Sequence, residues 1–432
     1  MISDSHFELY CRYLNSLCNI PSVTLHPQNV LQLILFCKKI FEESLDHYTI
    51  FIDEKNNLVC LPESINPNRN LIYLSAHADT VDAVASEWTD PYHPFQAYED
   101  AHEIVARGVS DCKAGVAFQL LVALLLKENA KLENIIFTIT FKEEGSGEKT
   151  ARAIGKKIGR DYPLSTKRNY LLVLENTVSL SNPKPILGYY TREKSNYVVQ
   201  IEGSLEQLKQ RLLHLQDWNP IAISPLNQSA KTTTLKTLSQ KGGHVCTLGR
   251  EQNLLTKAIL ESSSKQTITA GGANQIGVAP TSIQVETCEE EIPHVLILGN
   301  RCFMSSDQIR KQLEEIPHIP VTDFHLGSGM DIKELFHSDP ISTLLKNLGN
   351  QFLCLEEDSN PGQSDASIIY QAIDLPFRHQ LLPIVIGPGT RSQKQAIPPR
   401  LTHGVNETFD KTAGKQAVQT LVELLKRVVK GD

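Results

Sequence analysis

Polar, metal-competent side chains recur beside apolar runs in this chain. LIYLSAHADTV ends an apolar run in His77 and Asp79, and ARGVSDCKAG sets Asp111 in a turn ahead of an apolar segment. FTITFKEEGSG closes on the adjacent Glu143 and Glu144, YLLVLEN ends in Glu175, and PRLTHGVNE carries His403 ahead of the last helical segment. Histidine with Asp and Glu suits divalent zinc, cobalt or manganese, all of which accept imidazole and carboxylate. Two such ions a few ångströms apart are typically joined by a bridging carboxylate and form a nucleophile from a shared water. That chemistry would also resolve the repulsion within the Glu143–Glu144 pair: one carboxylate can ligate while the other takes the water's proton as general base. Asp79, two residues past His77 in extended chain, shares its face. Its carboxylate is expected to accept the second imidazole N–H and fix the tautomer.

Each of these residues also has an ordinary structural reading. A lone His77 or His403 is more often a hydrogen-bonded core histidine than a ligand. Asp111 could simply cap a helix, and Glu143–Glu144 could be a solvated strand end. Taken singly, the ordinary readings win. Taken together they do not, because every site falls at a strand end or in the adjoining turn. In an open α/β sheet the carboxyl ends of strands are where ligands bind.

The elements that must carry these residues are legible as periodicities. The first forty-odd residues repeat apolar positions at helical spacing (Leu14, Leu17, then Leu31, Ile34, Leu35, Phe36 and Ile40). Strand-like runs follow at 49–53, 57–61, 71–76, 135–141 and 170–175, with helices expected over 114–127 and after Glu148. Short, nearly continuous apolar strands between helices predict an α/β fold: a mostly parallel sheet with helices on both faces. From about residue 187 the texture changes to alternating strands (196–203, 281–287, 294–300) and charged helices (204–216, 305–316). That segment reads as an inserted α+β domain with helices on one face. The helix–strand texture resumes near 331 with a strand at 381–387 and an amphipathic helix over 416–429. The expected layout is a discontinuous catalytic domain, 1–186 and 331–432, interrupted by an inserted domain, 187–330.

Composition excludes several classes. Hydrophobic content of 41% and charged content of 21% are those of a globular protein. A net charge of −7 without a basic, aromatic-interleaved stretch argues against a nucleic-acid partner. No run approaches the length of a membrane helix, so no membrane partner is expected. The first twenty residues lack a basic start followed by an apolar core, unlike a secretory signal. The 9 cysteines are odd in number and scattered without a C-x-x-C pair, which predicts reduced, buried thiols in a cytoplasmic compartment.

These segments resemble the zinc-dependent metallopeptidase and deacylase family that includes succinyl-diaminopimelate desuccinylase, acetylornithine deacetylase, carboxypeptidase G and the aminoacylases. SAHADTV, RGVSDCKAG, FKEEGSG, LLVLEN and IGPG…THGVNE resemble its metal and base motifs in order, over nearly the whole chain. The resemblance implies two divalent metal ions, zinc first, with His77 and Glu175 on one, Glu144 and His403 on the other, and Asp111 bridging. It implies Glu143 as general base, Asp79 as the orienter of His77, and a cis bond after Asp111. The inserted segment would be the family's lid and dimerisation domain, making the protein a homodimer. Within it KGGHVCTLGREQ suggests His244 as oxyanion stabiliser, and GGANQIGVAP and ILGNRCF suggest Asn274 and Arg301 as holders of a substrate carboxylate. Gly387 in IGPG, with Ser364 and Asp365 in PGQSDAS, resemble loop elements of the pocket. The sequence departs from the family pattern at Lys142, where an Asp is usual, and at Cys112 after the bridging aspartate.

The activity implied is hydrolysis of an amide bond in a small N-acyl amino acid or short peptide. A di- or tripeptidase of the same fold, or a non-catalytic binding protein on this scaffold, are the rival readings. A two-metal phosphoesterase is disfavoured because no phosphate-cradling glycine loop or arginine cluster accompanies the ligands.

Overall fold

The computed structural model describes residues 2–128, 133–144, 148–175, 187–193, 195–226, 232–239, 253–263, 265–271, 282–288, 290–302, 308–309, 311, 313, 324–327, 330–348, 352–354, 364–388 and 403–431. The chain divides into two compact units, Met1–Glu193 with Met330–Asp432, and Lys194–Gly329.

The larger unit is built on an 8-stranded sheet. From edge to edge its strands are Tyr48–Ile52, Leu58–Pro62, Ile135–Thr140, Leu71–His77, Asn169–Val173, Leu381–Ile386, Leu187–Tyr190 and Phe352–Cys354. The run from Ile135–Thr140 to Leu381–Ile386 is parallel. Antiparallel partners flank it on both sides, and the far edge is again a parallel pair. Every position of those central strands is buried. That is why they read as continuous apolar runs and not as alternating ones. Each fully buried leucine or isoleucine there contributes about 1.5–3 kcal/mol.

Two crossovers fix the layers. From Leu71–His77 the chain passes through helix Lys113–Glu128 to the strand on one side, Ile135–Thr140. It then passes through Glu148–Lys157 to the strand on the other side, Asn169–Val173. Right-handed crossovers in opposite directions put their helices on opposite faces of the sheet. Accordingly Lys113–Glu128 packs with Asp4–Cys18 and Pro27–Ser44, while Glu148–Lys157 packs with Asp365–Ala372. The last helix, Lys411–Lys430, starts on an Asp410 cap and ends at Gly431, whose φ of 79° suits glycine. A separate 3-stranded sheet pairs Thr408–Asp410 with Glu103–Val105, and Glu103–Val105 with Tyr98–Glu99.

Residues 187–193 differ from the sequence expectation: they belong to the larger unit, because Leu187–Tyr190 adds to the main sheet beside Leu381–Ile386. The boundaries fall after 193 and before 330.

The smaller unit holds a 4-stranded sheet, in the order Asn219–Pro225, His294–Cys302, Ser195–Gly203, Phe324–Gly327. Its 3-stranded sheet runs Thr232–Ser239, Ser282–Cys288, Gln266–Gly271. Tyr197, Val199 and Ile201 alternate along one strand and are buried with Leu205, Leu208 and Leu212 of helix Leu205–His214. Ser204 opens that helix with a capping box closed by Gln207. Helix Leu254–Glu261 adds Leu255, Ala258 and Ile259 to the same core. Among the described residues no helix is long and apolar enough to cross a membrane.

Candidate metal centre

The carboxyl ends of the parallel strands converge on one place. His77 closes its strand, Glu143 and Glu144 follow Ile135–Thr140, Glu175 follows Asn169–Val173, and Gly387 follows Leu381–Ile386. A Cβ on Gly387 would stand 1.9 Å from the Glu175 carbonyl oxygen, so only glycine lets these two strand ends approach.

Asp111 lies between the two histidines. Its Oδ1 is 3.0 Å from His77 Nε2 and its Oδ2 is 3.2 Å from His403 Nε2. On the first side Glu175 Oε1 is 3.5 Å from His77 Nε2. On the second, Glu144 Oε1 is 2.7 Å from His403 Nε2. His77, Glu144, Glu175 and His403 are all buried. The Asp111–Cys112 peptide is cis.

The electrostatics suit a cation. Burial opposes a charge on His403, yet Glu144 and Asp111 outweigh it and push its pKa up to about 10. His77 is raised in the same way, chiefly by Glu175 against its burial. Burial pushes the Glu175 carboxyl up to about 7 although His77 pulls it down. Burial and then Glu144 raise Glu143 well above the usual range. Burial resists ionisation of Asp111, but the His403 and His77 contacts hold it well below that range. Carboxylates packed this closely keep protons unless positive charge arrives. Glu175 Oε1 is buried with no hydrogen-bond partner among the described residues. Its orphaned lone pairs, the Asp111 oxygens turned one to each histidine, and the N/O donor set together fit divalent metal.

Asp79 does more than was expected of it, through its main chain as well as its carboxylate. His77 Nδ1 lies 2.9 Å from the Asp79 main-chain carbonyl and 3.5 Å from Oδ1. A carbonyl only accepts, so Nδ1 carries the hydrogen and Nε2 faces Asp111 and Glu175. The carboxylate, fully buried, also accepts from the Glu143 amide at 2.7 Å, the Glu144 amide at 3.1 Å and the Thr24 hydroxyl at 2.6 Å. Those amides compete for its lone pairs, and the result fixes the turn that presents the glutamate pair.

Glu407, given no role by the sequence reading, assembles the rest. Its carboxylate accepts from the amides of Gly108 (2.9 Å), Ser110 (2.9 Å) and Asp111 (3.1 Å), and pairs with Arg107 at 3.1 Å. Arg107 also donates to the His403 carbonyl at 3.3 Å. One buried ion pair thus joins the Asp111 loop to the His403 segment. Glu407→Ala is expected to destabilise the protein by about 3–5 kcal/mol, the cost of leaving a buried charge unpaired. Denaturant midpoints should show this loss, with Glu407→Gln losing less. The sequence signal was its place at the end of THGVNE, beside His403, where the reading gave it no role of its own.

Asp365 and Thr24 were not singled out as carrying the site either, though Asp365 was noted as a loop element. Asp365 is 1% exposed and its Oδ2 accepts from the Thr140 hydroxyl. Arg301 stands in His294–Cys302 opposite Asn196, in the smaller unit. His244 and Asn274 lie outside the described residues, as do Gly145, Ser146 and Gly147.

A His/carboxylate cluster at the carboxyl ends of a mostly parallel sheet is an arrangement suited to metal-assisted hydrolysis. Residues 73–427 match peptidase family M20/M25/M40. The chain belongs to that family, and its fold is that of metallopeptidases that hydrolyse peptide and amide bonds. Human carnosine dipeptidase 1 has a similar structure, with a TM-score of 0.59 at 12% identity over 99% of this chain and 98% of that one. The di-peptidase Dug1p of Saccharomyces cerevisiae aligns with a TM-score of 0.58 at 13% identity, over 99% and 97%. The Bacillus subtilis YXEP protein, a dinuclear metal binding peptidase, gives 0.52 at 12% identity, over 100% of both chains. At these identities the likeness is one of fold. No curated protein matches the sequence.

Proposed function

We propose that the protein is a di-metal amidohydrolase that cleaves the amide bond of a small N-acyl amino acid or short peptide. The observation that carries this reading is Asp111, with one oxygen toward His77 and the other toward His403. His77 and Glu175 would hold one ion, Glu144 and His403 the other, and Asp111 both. When bound, the ions would supply Lewis acidity at the scissile carbonyl and lower the pKa of the attacking water. Glu143 takes that water's proton and returns it to the leaving amine. Among the described residues nothing hydrogen-bonds its carboxyl group, while Asp79 fixes its main chain. By resemblance to the family, His244 stabilises the oxyanion and Arg301 and Asn274 read the product carboxylate. Zinc is the first choice among the ions, and a homodimer through the inserted unit is the proposed assembly. Cys11, Cys18, Cys37, Cys60, Cys112 and Cys288, free and buried, support a reducing, cytoplasmic compartment.

A panel of dipeptides, tripeptides, N-acetyl and N-succinyl amino acids, assayed with zinc, cobalt or manganese, tests the reading. Turnover of one class is expected, and a chelator should abolish it. Tight metal binding with no hydrolysis across the panel would favour the non-catalytic alternative.

A further inference from the structure

The chain leaves the larger unit after Glu193 and re-enters it at Met330, and there Arg192–Glu193 pairs antiparallel with Met330–Asp331. Glu193 is 1% exposed. A carboxylate this deep needs partners, and it finds them at a helix start. The Ser364 amide donates to one oxygen at 3.2 Å and the Ser364 hydroxyl donates to the other. Ser364 Oγ in turn accepts from the Ala366 amide at 3.1 Å, capping helix Asp365–Ala372. The positive end of that helix offsets the charge on Glu193. Burial nonetheless pushes its carboxyl up to about 7, against the hydrogen bonds from Ser364 and Ser367.

Asp365, the first residue of the helix, reaches the Thr140 hydroxyl. Thr140 ends the strand that delivers Glu143 and Glu144, and is paired in register with His77. Buried hydrogen bonds therefore run from the exit ribbon through the Ser364–Asp365 helix start to Thr140, three residues before Glu143 along the chain.

We propose that Glu193 is a positioning residue for hydrolysis, locking the Ser364–Asp365 helix start and, through Asp365 and Thr140, the turn that presents Glu143 and Glu144. This rests on the reading of Glu143 as the base. A carboxylate that only capped a helix would support stability and leave that turn alone.

The test compares Glu193→Ala and Glu193→Gln with the zinc-loaded wild type and with Glu143→Ala, on the best substrate of the panel. Glu193→Ala is expected to lower kcat about tenfold to a hundredfold with KM little changed, since small misplacements of a catalytic group cost rates of this size. Glu193→Gln keeps one acceptor oxygen for the Ser364 amide and should recover part of the loss. Amide hydrogen exchange at Glu143 and Glu144 should accelerate in Glu193→Ala, while exchange along Leu71–His77 stays slow. Faster exchange confined to 364–372, with kcat unchanged, would make Glu193 a helix cap and overturn the proposal. If Glu193→Ala does not fold, Glu193→Gln and Ser364→Ala carry the same readouts. Full activity in Glu143→Ala would overturn the assignment of the base, and the exchange data would still decide whether Glu193 holds the turn.

Discussion

Replacing Glu143 by alanine is expected to leave metal binding intact and to lower kcat by about 10³–10⁴-fold, the upper range for general acid–base catalysis. The neighbouring carboxylates explain the separation of the two effects. Glu144 faces His403 at 2.7 Å and stands among the candidate ligands. Among the described residues Glu143 makes no such contact, and its backbone amide is tied to Asp79. Burial and the charge of Glu144 raise its pKa, so it can hold a proton in transit instead of shedding it at once. Glu144→Ala should behave differently, losing metal as well as turnover. Metal stoichiometry measured beside kcat distinguishes the two variants. A Glu143→Ala protein within tenfold of wild-type kcat would remove Glu143 from the mechanism.

The second large effect concerns metal and pH. Ligation needs neutral imidazole and ionised carboxylate. In the metal-free protein His403 has a pKa of about 10, so it carries a proton at pH 7 that a cation must displace. Zinc added to metal-free protein at pH 7 is therefore expected to release protons, and its affinity to climb with pH. Stability follows the same sign. His403, raised above its unfolded value of about 6.5, contributes stability that is fully present below that value and is lost as pH rises through about 10. Glu175 is a carboxyl raised from 4.5 to about 7. Between those values the folded state binds more protons than the unfolded one, so stability again falls as pH rises. The metal-free protein should therefore weaken from about pH 5 to pH 8, above which buried Lys113, its pKa lowered to about 8, acts in the opposite sense. Metal compensates most where these protons are already gone, contributing about 4 kcal/mol at free metal a thousandfold above Kd. The Tm gap between loaded and chelated protein should be wider at pH 8 than at pH 5.5. A gap that is equal at both, or wider in acid, contradicts this account.

The ligand set was legible because each ligand interrupts an apolar pattern at a strand end, and strand ends are readable from local periodicity. The parallel sheet was legible for the same reason, since burial on both faces leaves continuous apolar runs. Pairing over long separations was not. Leu187–Tyr190 is a short run whose place in the sheet depends on Leu381–Ile386, nearly two hundred residues on. Glu407 and Thr24 were equally opaque: a buried polar residue satisfied by distant amides or hydroxyls leaves no periodic trace. Asp79 shows the limit from another side. Spacing placed it beside His77, but only the geometry reveals that its carbonyl also serves the ring and its carboxylate also holds the Glu143–Glu144 turn.

The clamp at Glu407 also sets an order of events during synthesis. Asp111 and the strands around it leave the ribosome long before His403, and domains generally fold from the N-terminal side as the chain emerges. Until Thr408–Asp410 pairs with Glu103–Val105, the amides of Gly108, Ser110 and Asp111 lack their common acceptor. A chain that has been made only as far as residue 402 therefore brings Asp111 one of its two histidines, His77, and not His403.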